Sequence, residues 1–404
     1  MEYLTAKYKN HFILTFIVIV LSEDTLLFGT NANPIFMKLR FVSYIIILLF
    51  FYNSTWRHIN KQVIAPILLI FVSFLLVMLL NKDFRNGYIL QLLSILLAMK
   101  IANTIQFRDF ATCFTNIIYF FSIVSIGLFV LVSVLPSAIN LLPTINNIGD
   151  VQYGTILLSN IMKIDGTLRN SSIFREPGVF GIYLILGLLH LFFIESTINL
   201  KKIFVLIVAL LTTYSTTAFF AMLLIILSYV FQGKNIKTKN YIFIIMILCA
   251  VFILPLISES IFAKLNENNA EYRSTFSRIA SFSIPISIFI DHPLGVGLSN
   301  FVVLYPSYSY NLYGIEFKPE GEATNTLINS LAIYGLFYGT IILFAIWKLS
   351  FQYQRSTTGL LFVFFIFIFL YSSQDLRYSL LFNVLIIYGL IMHETLKTKQ
   401  KLIK

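Results

Sequence analysis

Long apolar runs, separated by short polar turns, repeat along most of the chain. A membrane-spanning helix needs about 20 mostly apolar residues, or fewer where it is short. By this measure the pattern predicts twelve spans, at residues 11–28, 38–53, 63–80, 88–105, 111–135, 178–194, 203–213, 216–231, 241–257, 323–346, 358–372 and 378–393. Two long polar segments, at about 136–177 and 258–322, interrupt the series, and loops of this length are usually functional.

The stretch 203–231 is long for one helix and short for two. Lysines flank it on both sides: Lys201, Lys202, Lys234, Lys237 and Lys239. Lysine-rich loops favour the cytoplasm, and only two crossings place both groups of lysines there. The pattern therefore favours a hairpin with the polar residues 212–217 at its tip. One long tilted helix is the alternative.

Composition supports a membrane protein over a soluble one. Of the 404 residues, 58% are hydrophobic and 12% are charged, whereas soluble domains average about 25% charged residues. We therefore expect an all-α polytopic membrane protein in which residues 1–404 form a single integral membrane domain. The net charge of +11 is interpreted as lysine and arginine on cytoplasmic loops, not as a nucleic-acid surface. The first apolar run is predicted to be a span and not a cleaved signal peptide, because it lacks a small-residue cleavage site.

Arginine and lysine are distributed differently over this topology. With the N-terminus inside, both long segments lie outside, and most lysines fall inside. Seven of the ten arginines fall outside: Arg40, Arg85, Arg169, Arg175, Arg273, Arg278 and Arg377. The planar guanidinium group binds phosphate through two parallel hydrogen bonds, so an outer cluster of arginines indicates a phosphate-bearing ligand. The alternative is that they pair with carboxylates in the loops.

The first long outer segment ends in Arg175-Glu176-Pro177-Gly178, at the start of an apolar run. Arg169 lies six residues earlier and can converge with Arg175. Glu176 is predicted either to orient Arg175 or to act as an acid or base. The alternative is a helix N-terminus at which the helix dipole favours Glu176. The two interpretations are compatible, because helix N-termini also attract phosphate.

The second long outer segment contributes Arg273 and Arg278, five residues apart on a segment that can be helical. Residues 279–290 are too few for a span and suggest an amphipathic helix lying on the bilayer. A glycine-rich turn follows, with Asp291 and His292 at its start. His292 is a candidate base by residue type, although a lone histidine before proline is more often structural.

Further candidates stand at the entrance of the next span and in the last outer turn. Glu320 and Glu322 precede the span and Asn325 follows them. A partly buried carboxylate here is a candidate to deprotonate a sugar hydroxyl, while the alternative for Glu322 is to complement a helix N-terminus. Arg377 lies in the polar turn between the last two spans. No motif for a metal or a nucleotide is present, which disfavours a metal-dependent enzyme that uses nucleotide sugars.

Four segments together resemble the O-antigen and polysaccharide polymerases of the Wzy type, which are related to the O-antigen ligases and placed among GT-C-like membrane glycosyltransferases. The segments are FREPGVFG, LLTTYSTTAFFAMLL, HPLGVGLSNF and ATNTLINSLAIYG. Two positions depart from the pattern of the family. Thr216 stands where relatives often carry arginine. Thr324 stands where ligases carry histidine, which favours a polymerase.

The resemblance implies a metal-independent enzyme of the bacterial inner membrane, active on the periplasmic side and without a cofactor. It would transfer a growing glycan from undecaprenyl pyrophosphate to the non-reducing end of a new lipid-linked repeat unit. Arg175, Arg273 and Arg278 are then expected to contact the pyrophosphate, with Arg169 and Arg377 behind them. Glu176 is expected to orient an arginine, and Glu322, Glu320 and Asp291 are the candidates to deprotonate the acceptor hydroxyl. The expected partners are the lipid-linked oligosaccharide and membrane lipid. A chain-length regulator is a further candidate partner, and nucleic acid is not an expected one. An O-antigen ligase acting on lipid A-core and a flippase for lipid-linked oligosaccharide remain alternatives.

Overall fold

The computed structural model describes residues 2–29, 34–50, 61–146, 152–156, 158–164, 167–195, 197–231, 270–354 and 356–391. Helices make up most of this part of the chain. They are α1 (Glu2–Val20), α2 (Pro34–Phe50), α3 (Lys61–Asn81), α4 (Asn86–Thr104), α5 (Phe107–Val134), α6 (Pro177–Phe193), α7 (Leu200–Thr212), α8 (Thr216–Phe231), α9 (Ala270–Asp291), α10 (Gly297–Tyr313), α11 (Pro319–Glu322), α12 (Thr326–Tyr353), α13 (Thr357–Ser372) and α14 (Leu380–Ile391).

Within the described residues a helix overlaps each predicted span, although α1 ends at Val20 inside the span predicted at 11–28, and α9 and α10 fall in the predicted second outer segment. Four are long and apolar enough to cross a membrane, within residues Ile64–Asn81, Asn86–Thr104, Phe107–Val134 and Thr326–Tyr353. Shorter apolar helices cover Tyr8–Val20, Pro177–Phe193, Thr216–Tyr229, Thr357–Ser372 and Leu380–Ile391. The predicted span 241–257 lies outside the described residues. This helical pattern is consistent with a polytopic membrane protein.

Two helices, α6 and α14, form the centre of the bundle. Both are apolar on all sides, and nearly every residue of each is buried, as expected of a helix enclosed by others. Helix α6 packs against α5, α7 and α8, while α14 packs against α4 and α12. Peripheral helices expose apolar side chains instead, such as Leu68, Leu76 and Leu79 of α3. An outward apolar surface of this kind suits contact with lipid.

The described residues of the predicted first outer segment correct the all-α prediction, because they include a four-stranded antiparallel sheet. Strands β1 (Thr144–Asn146), β2 (Gln152–Ile156), β3 (Ser159–Ile164) and β4 (Thr167–Ser172) pair in chain order. Strands this short carry too little alternation to stand out from a polar loop. The packing of Ile161 on Leu128 and Val132 of α5 stabilises the sheet, and such a long-range contact is not readable from a local pattern.

The stretch 203–231 is broken where the sequence indicates. Helix α7 ends at Thr212 and α8 begins at Thr216, and Tyr214 between them adopts a left-handed conformation with φ of 51°. The hydroxyl of Ser215 accepts a hydrogen bond from the N–H group of Ala218 at 3.4 Å and so caps α8. Two helices with a polar tip are therefore confirmed. The placement of both lysine groups in the cytoplasm stays a prediction.

In the predicted second outer segment, residues 270–313 form a helical hairpin, α9–α10, whose turn fits a break in α12. Gly335 interrupts α12 with φ of 79°, which leaves helix polar groups without partners inside the helix. The hairpin turn supplies partners, since Val296 N–H donates to Ala332 O and Leu336 N–H donates to Pro293 O, both at 2.9 Å. A Cβ atom on Gly335 would lie 2.4 Å from Leu294 O. The glycine-rich turn thus supplies the hydrogen-bond partners that the broken helix lacks.

Candidate functional site

A polar cleft lies where five segments of the chain meet. It opens to solvent on one side. Its walls come from strands β3 and β4, the start of α6, the α7–α8 tip, α9 and the turn after α13. The lining residues are Met162, Arg169, Glu176, Pro177, Gly178, Ser215, Thr217, Arg278, Ser373 and Gln374. Three site residues predicted from sequence, Arg169, Glu176 and Arg278, therefore meet at one place.

Two helix N-termini face this cleft. Pro177 begins α6, where its missing N–H group costs nothing, and Glu176 precedes it without capping the helix through its side chain. The start of α8 lies alongside, because Gly181 lets the helices approach: a Cβ atom there would be 2.8 Å from the Cβ of Ala218. Unpaired N–H groups and aligned peptide dipoles make such ends favourable for anions. The cleft thus combines two of them.

Arg169 both lines the cleft and fixes one of its walls. Its Nε donates to Thr213 O and its Nη2 donates to Tyr214 O, each at 3.1 Å. The neighbouring Asn170 donates to the hydroxyl of Thr212 at 2.9 Å. Side chains of strand β4 therefore hold the α7–α8 tip through hydrogen bonds to two main-chain carbonyl groups and one hydroxyl of the tip. The position of the tip in turn sets the direction of α8.

Arg278 reaches the cleft from α9, and its side chain is exposed. Among the described residues, no carboxylate lies within ion-pair distance of Arg278. Glu176 is nonetheless close enough for its charge to act on the guanidinium group. A cation and a carboxylate thus face one open space without being joined. This arrangement leaves hydrogen-bonding capacity for a ligand.

Arg175 and Arg377 occupy a different environment, beside the cleft and not in its lining. The guanidinium of Arg175 donates to the carbonyl oxygen of Asp375. Arg377 forms a two-point ion pair with the carboxylate of Asp375, with distances of 2.8 and 2.6 Å. Burial alone would raise the pKa of Asp375, but the charge and hydrogen bonds of Arg377 outweigh it, so this pKa lies below its usual value.

The loop after α1 holds the Arg175 segment in place. The N–H group of Arg175 donates to Asp24 O at 2.9 Å, and Leu26 N–H donates to Ile173 O at 2.9 Å. The carboxylate of Asp24 is 1% exposed and accepts hydrogen bonds from three hydroxyls, those of Ser22, Tyr183 and Ser379. Beside it Glu23 pairs with Arg40 at 3.3 Å.

Glu23 and Asp24 were not among the predicted site residues. Their signal in the sequence is a pair of adjacent carboxylates at the end of an apolar run. Charges in such a position need buried partners. The pattern therefore indicates a polar cluster at this level, although it does not name the partners.

The carboxylates proposed as bases lie elsewhere. Asp291 accepts a hydrogen bond from Tyr308 at 2.7 Å, and His292 follows it, exposed. Thirteen residues of α9 separate Asp291 from Arg278, which corresponds to about 20 Å along a helix. Neither Asp291 nor His292 lines the cleft.

The residues at the entrance of α12 act as caps. Glu322 accepts a hydrogen bond from Lys318 N–H at 2.8 Å, across the short helix α11. Asn325 caps α12 by accepting from Ile328 N–H at 3.1 Å. Arg273 lies in α9 and Glu320 in α11, and their side chains fall outside what the structure describes. Glu176 is thus the predicted carboxylate that the structure brings to the cleft.

Comparison with known proteins finds a similarity over part of the chain. Residues 203–344 match the family model Wzy_C, described as O-antigen ligase. The matched segment contains the α7–α8 tip, Arg278 and the hairpin turn that fills the break in α12, while the sheet and Glu176 lie before it. No curated protein and no solved structure matches the chain. The match confirms the resemblance and supports a function of the O-antigen polymerase or ligase type.

Proposed function

We propose, from the match of residues 203–344 to the O-antigen ligase family, that this protein is an O-antigen polymerase. It would join undecaprenyl-pyrophosphate-linked repeat units on the periplasmic face of the bacterial inner membrane. The observation that supports this most directly is the cleft that unites Arg278 and the tip of the matched segment with Arg169 and Glu176. Two cations, two helix N-termini and one carboxylate suit a diphosphate leaving group next to a sugar.

In the proposed reaction, a hydroxyl of the incoming lipid-linked unit attacks the anomeric carbon of the growing glycan. The bond from that carbon to the diphosphate oxygen breaks, and undecaprenyl pyrophosphate leaves with the electron pair. Arg278 and Arg169 stabilise the charge that develops on the leaving group, together with the N-termini of α6 and α8. Donors fixed in advance stabilise a transition state most effectively, because they need not reorganise as charge develops.

The attacking hydroxyl must lose a proton, and we propose that Glu176 accepts it. Its carboxylate lines the same cleft as Arg278 and does not cap α6 through its side chain. A general base has to lie within hydrogen-bond reach of the proton it removes. We therefore assign this role to Glu176 in preference to Asp291, Glu320 or Glu322. Arg175 and Arg377 become positioning residues, since both anchor the turn that carries Asp375.

The polymerase is preferred over the ligase because of Thr324. Ligases carry histidine at the corresponding position, whereas Thr324 donates its hydroxyl to Ser281 at 3.3 Å and offers no base. The product pattern of a deletion strain separates the two functions. Single repeat units on lipid A-core indicate a lost polymerase. Polymer that accumulates on undecaprenyl pyrophosphate, with bare lipid A-core, indicates a lost ligase.

Arg278→Ala, expressed in that deletion strain, tests the role of the cleft. We expect the ladder of polymer to disappear while the amount of inserted protein stays unchanged, because the side chain is exposed and makes no ion pair within the described residues. Arg85→Ala is the matched control, since Arg85 is an exposed arginine outside the cleft. A full ladder from Arg278→Ala would remove the basis of the proposal.

A further inference from the structure

Gln374 is a cleft residue that the proposed reaction does not use. It lies in the turn after α13, its side chain lines the cleft, and it is only 9% exposed. Its amide lies over the start of α6, where a Cβ atom on Gly178 would be 2.7 Å from its Nε2. Among the described residues, no group forms a hydrogen bond with this amide. Its donor and acceptor groups therefore stay available to a molecule that enters the cleft.

The main chain on both sides of Gln374 is fixed. Its carbonyl oxygen accepts a hydrogen bond from the hydroxyl of Thr326, and the same hydroxyl accepts one from Leu376 N–H at 2.7 Å. The next residue, Asp375, is bound by Arg175 through its carbonyl group. The turn is therefore held by α12 and by the start of α6. A side chain held in this way is oriented before any ligand arrives.

The chemistry of an amide separates Gln374 from the other polar groups of the cleft. Arginine side chains and helix N-termini offer only donors, which suits the oxygens of a diphosphate. A glutamine offers a donor and an acceptor side by side, and its oxygen would face a diphosphate unfavourably. A sugar hydroxyl can both donate and accept, so it satisfies the amide where a phosphate cannot.

We infer that Gln374 is a specificity-determining residue that binds the sugar directly attached to the diphosphate of the donor lipid. This inference rests on the proposed function. It divides the cleft into a cationic part, with Arg169 and Arg278, that holds the diphosphate and a neutral part, at Gln374 and Gly178, that recognises the first sugar. Loss of one neutral hydrogen bond is worth about 0.5–1.5 kcal/mol, which corresponds to about a 2- to 12-fold change in affinity.

The test compares two lipids on purified protein in detergent. One is undecaprenyl diphosphate without sugar, and the other is the undecaprenyl-diphosphate-linked repeat unit extracted from the deletion strain. Gln374→Met keeps a side chain of similar length over Gly178 but removes both hydrogen-bonding groups. Gln106→Met is the matched control, because Gln106 is exposed and outside the cleft.

We expect Gln374→Met to bind the sugar-free lipid as the wild type does and the sugar-bearing lipid about 2- to 12-fold more weakly. Equal weakening for both lipids would mean that the amide contacts the diphosphate, and no change for either would mean that it contacts neither part; both results overturn the inference. Arg278→Ala tests the proposed function separately, because it should weaken the binding of both lipids. If Arg278→Ala bound both normally, the proposed function itself would fail, whatever Gln374→Met does.

Discussion

Five of the seven arginines predicted to lie outside the membrane fall into two environments. Arg169 and Arg278 line an open cleft, whereas Arg40, Arg175 and Arg377 lie among the carboxyl-bearing residues Glu23, Asp24 and Asp375. Both groups belong to the same predicted distribution, in which most lysines lie on the cytoplasmic side and most arginines lie on the outer side. Under the proposed function, the two explanations offered for that bias apply to different arginines: a phosphate ligand to Arg169 and Arg278, and internal pairing to Arg40, Arg175 and Arg377.

The difference has a functional consequence. A buried ion pair is strongly damaged when one partner is removed, because the other charge stays behind without compensation. An exposed arginine held for a ligand contributes little to stability and can be removed without unfolding the protein. Substitutions should therefore separate loss of protein from loss of activity, according to the group to which an arginine belongs.

The largest effect on folding is expected from Asp24→Ala. Three hydroxyls lose their shared acceptor, and the nearby positive charge of Arg175 loses a compensating carboxylate. Breaking a buried charged cluster costs about 3–5 kcal/mol, so the amount of inserted protein and its unfolding temperature should fall sharply. Asp24→Asn, which keeps an acceptor oxygen, should be milder. Normal unfolding of Asp24→Ala would contradict the account of the cluster.

The largest effect on activity without unfolding is expected from Arg278→Lys. Lysine keeps the charge but lacks the planar fork, and removal of one preorganised donor typically lowers kcat about 100- to 1000-fold. Measured polymer formation should fall towards that range while the unfolding temperature stays at the wild-type value. Arg85→Lys provides the control. Near-wild-type polymer formation by Arg278→Lys would mean that only the positive charge of the residue matters.

Arg377→Lys should give an intermediate result on stability. The two hydrogen bonds to Asp375 become one at most, and a hydrogen bond between charged groups contributes about 1.5–3 kcal/mol. A lower unfolding temperature is expected, together with partial loss of activity through displacement of the 373–379 turn. Loss of activity with an unchanged unfolding temperature would instead indicate that Arg377 contacts the ligand directly.

The smallest effect concerns pH. Because Arg377 holds the pKa of Asp375 below its unfolded value, the pair stabilises the fold above that unfolded value, near pH 4. The contribution is lost as the pH falls through the folded pKa. Wild-type protein should therefore lose more stability on acidification below about pH 4 than Asp375→Asn does. Parallel curves for the two proteins would show that the pair contributes nothing.

The sequence predicts helices well and their assembly less well. Apolar runs of about 20 residues and the polar tip at 212–217 depend on local composition, which is why α7 and α8 are separated as expected. The sheet depends on Ile161 reaching α5, and the hairpin turn depends on a break at Gly335 in a distant helix. Local patterns do not encode such contacts.

The same limit applies to the site. Residue type alone indicates Arg175 and Arg278 equally as ligand contacts, because both arginines stand in segments predicted to lie outside. Only the fold shows that Arg278 faces the cleft whereas Arg175 binds the turn that carries Asp375. Gln374 lies in the same polar turn as Arg377, and its residue type does not single it out, because its importance comes from an amide that faces the cleft without a partner in the described part of the chain.

The most direct test of the account is a density map of the protein with undecaprenyl diphosphate bound. We predict density for the diphosphate between Arg169 and Arg278, against the N-terminus of α6 and within reach of Glu176. Density elsewhere, with the cleft empty, or density beside Arg175 and Arg377, would contradict the assignment of the cleft as the site of glycan transfer.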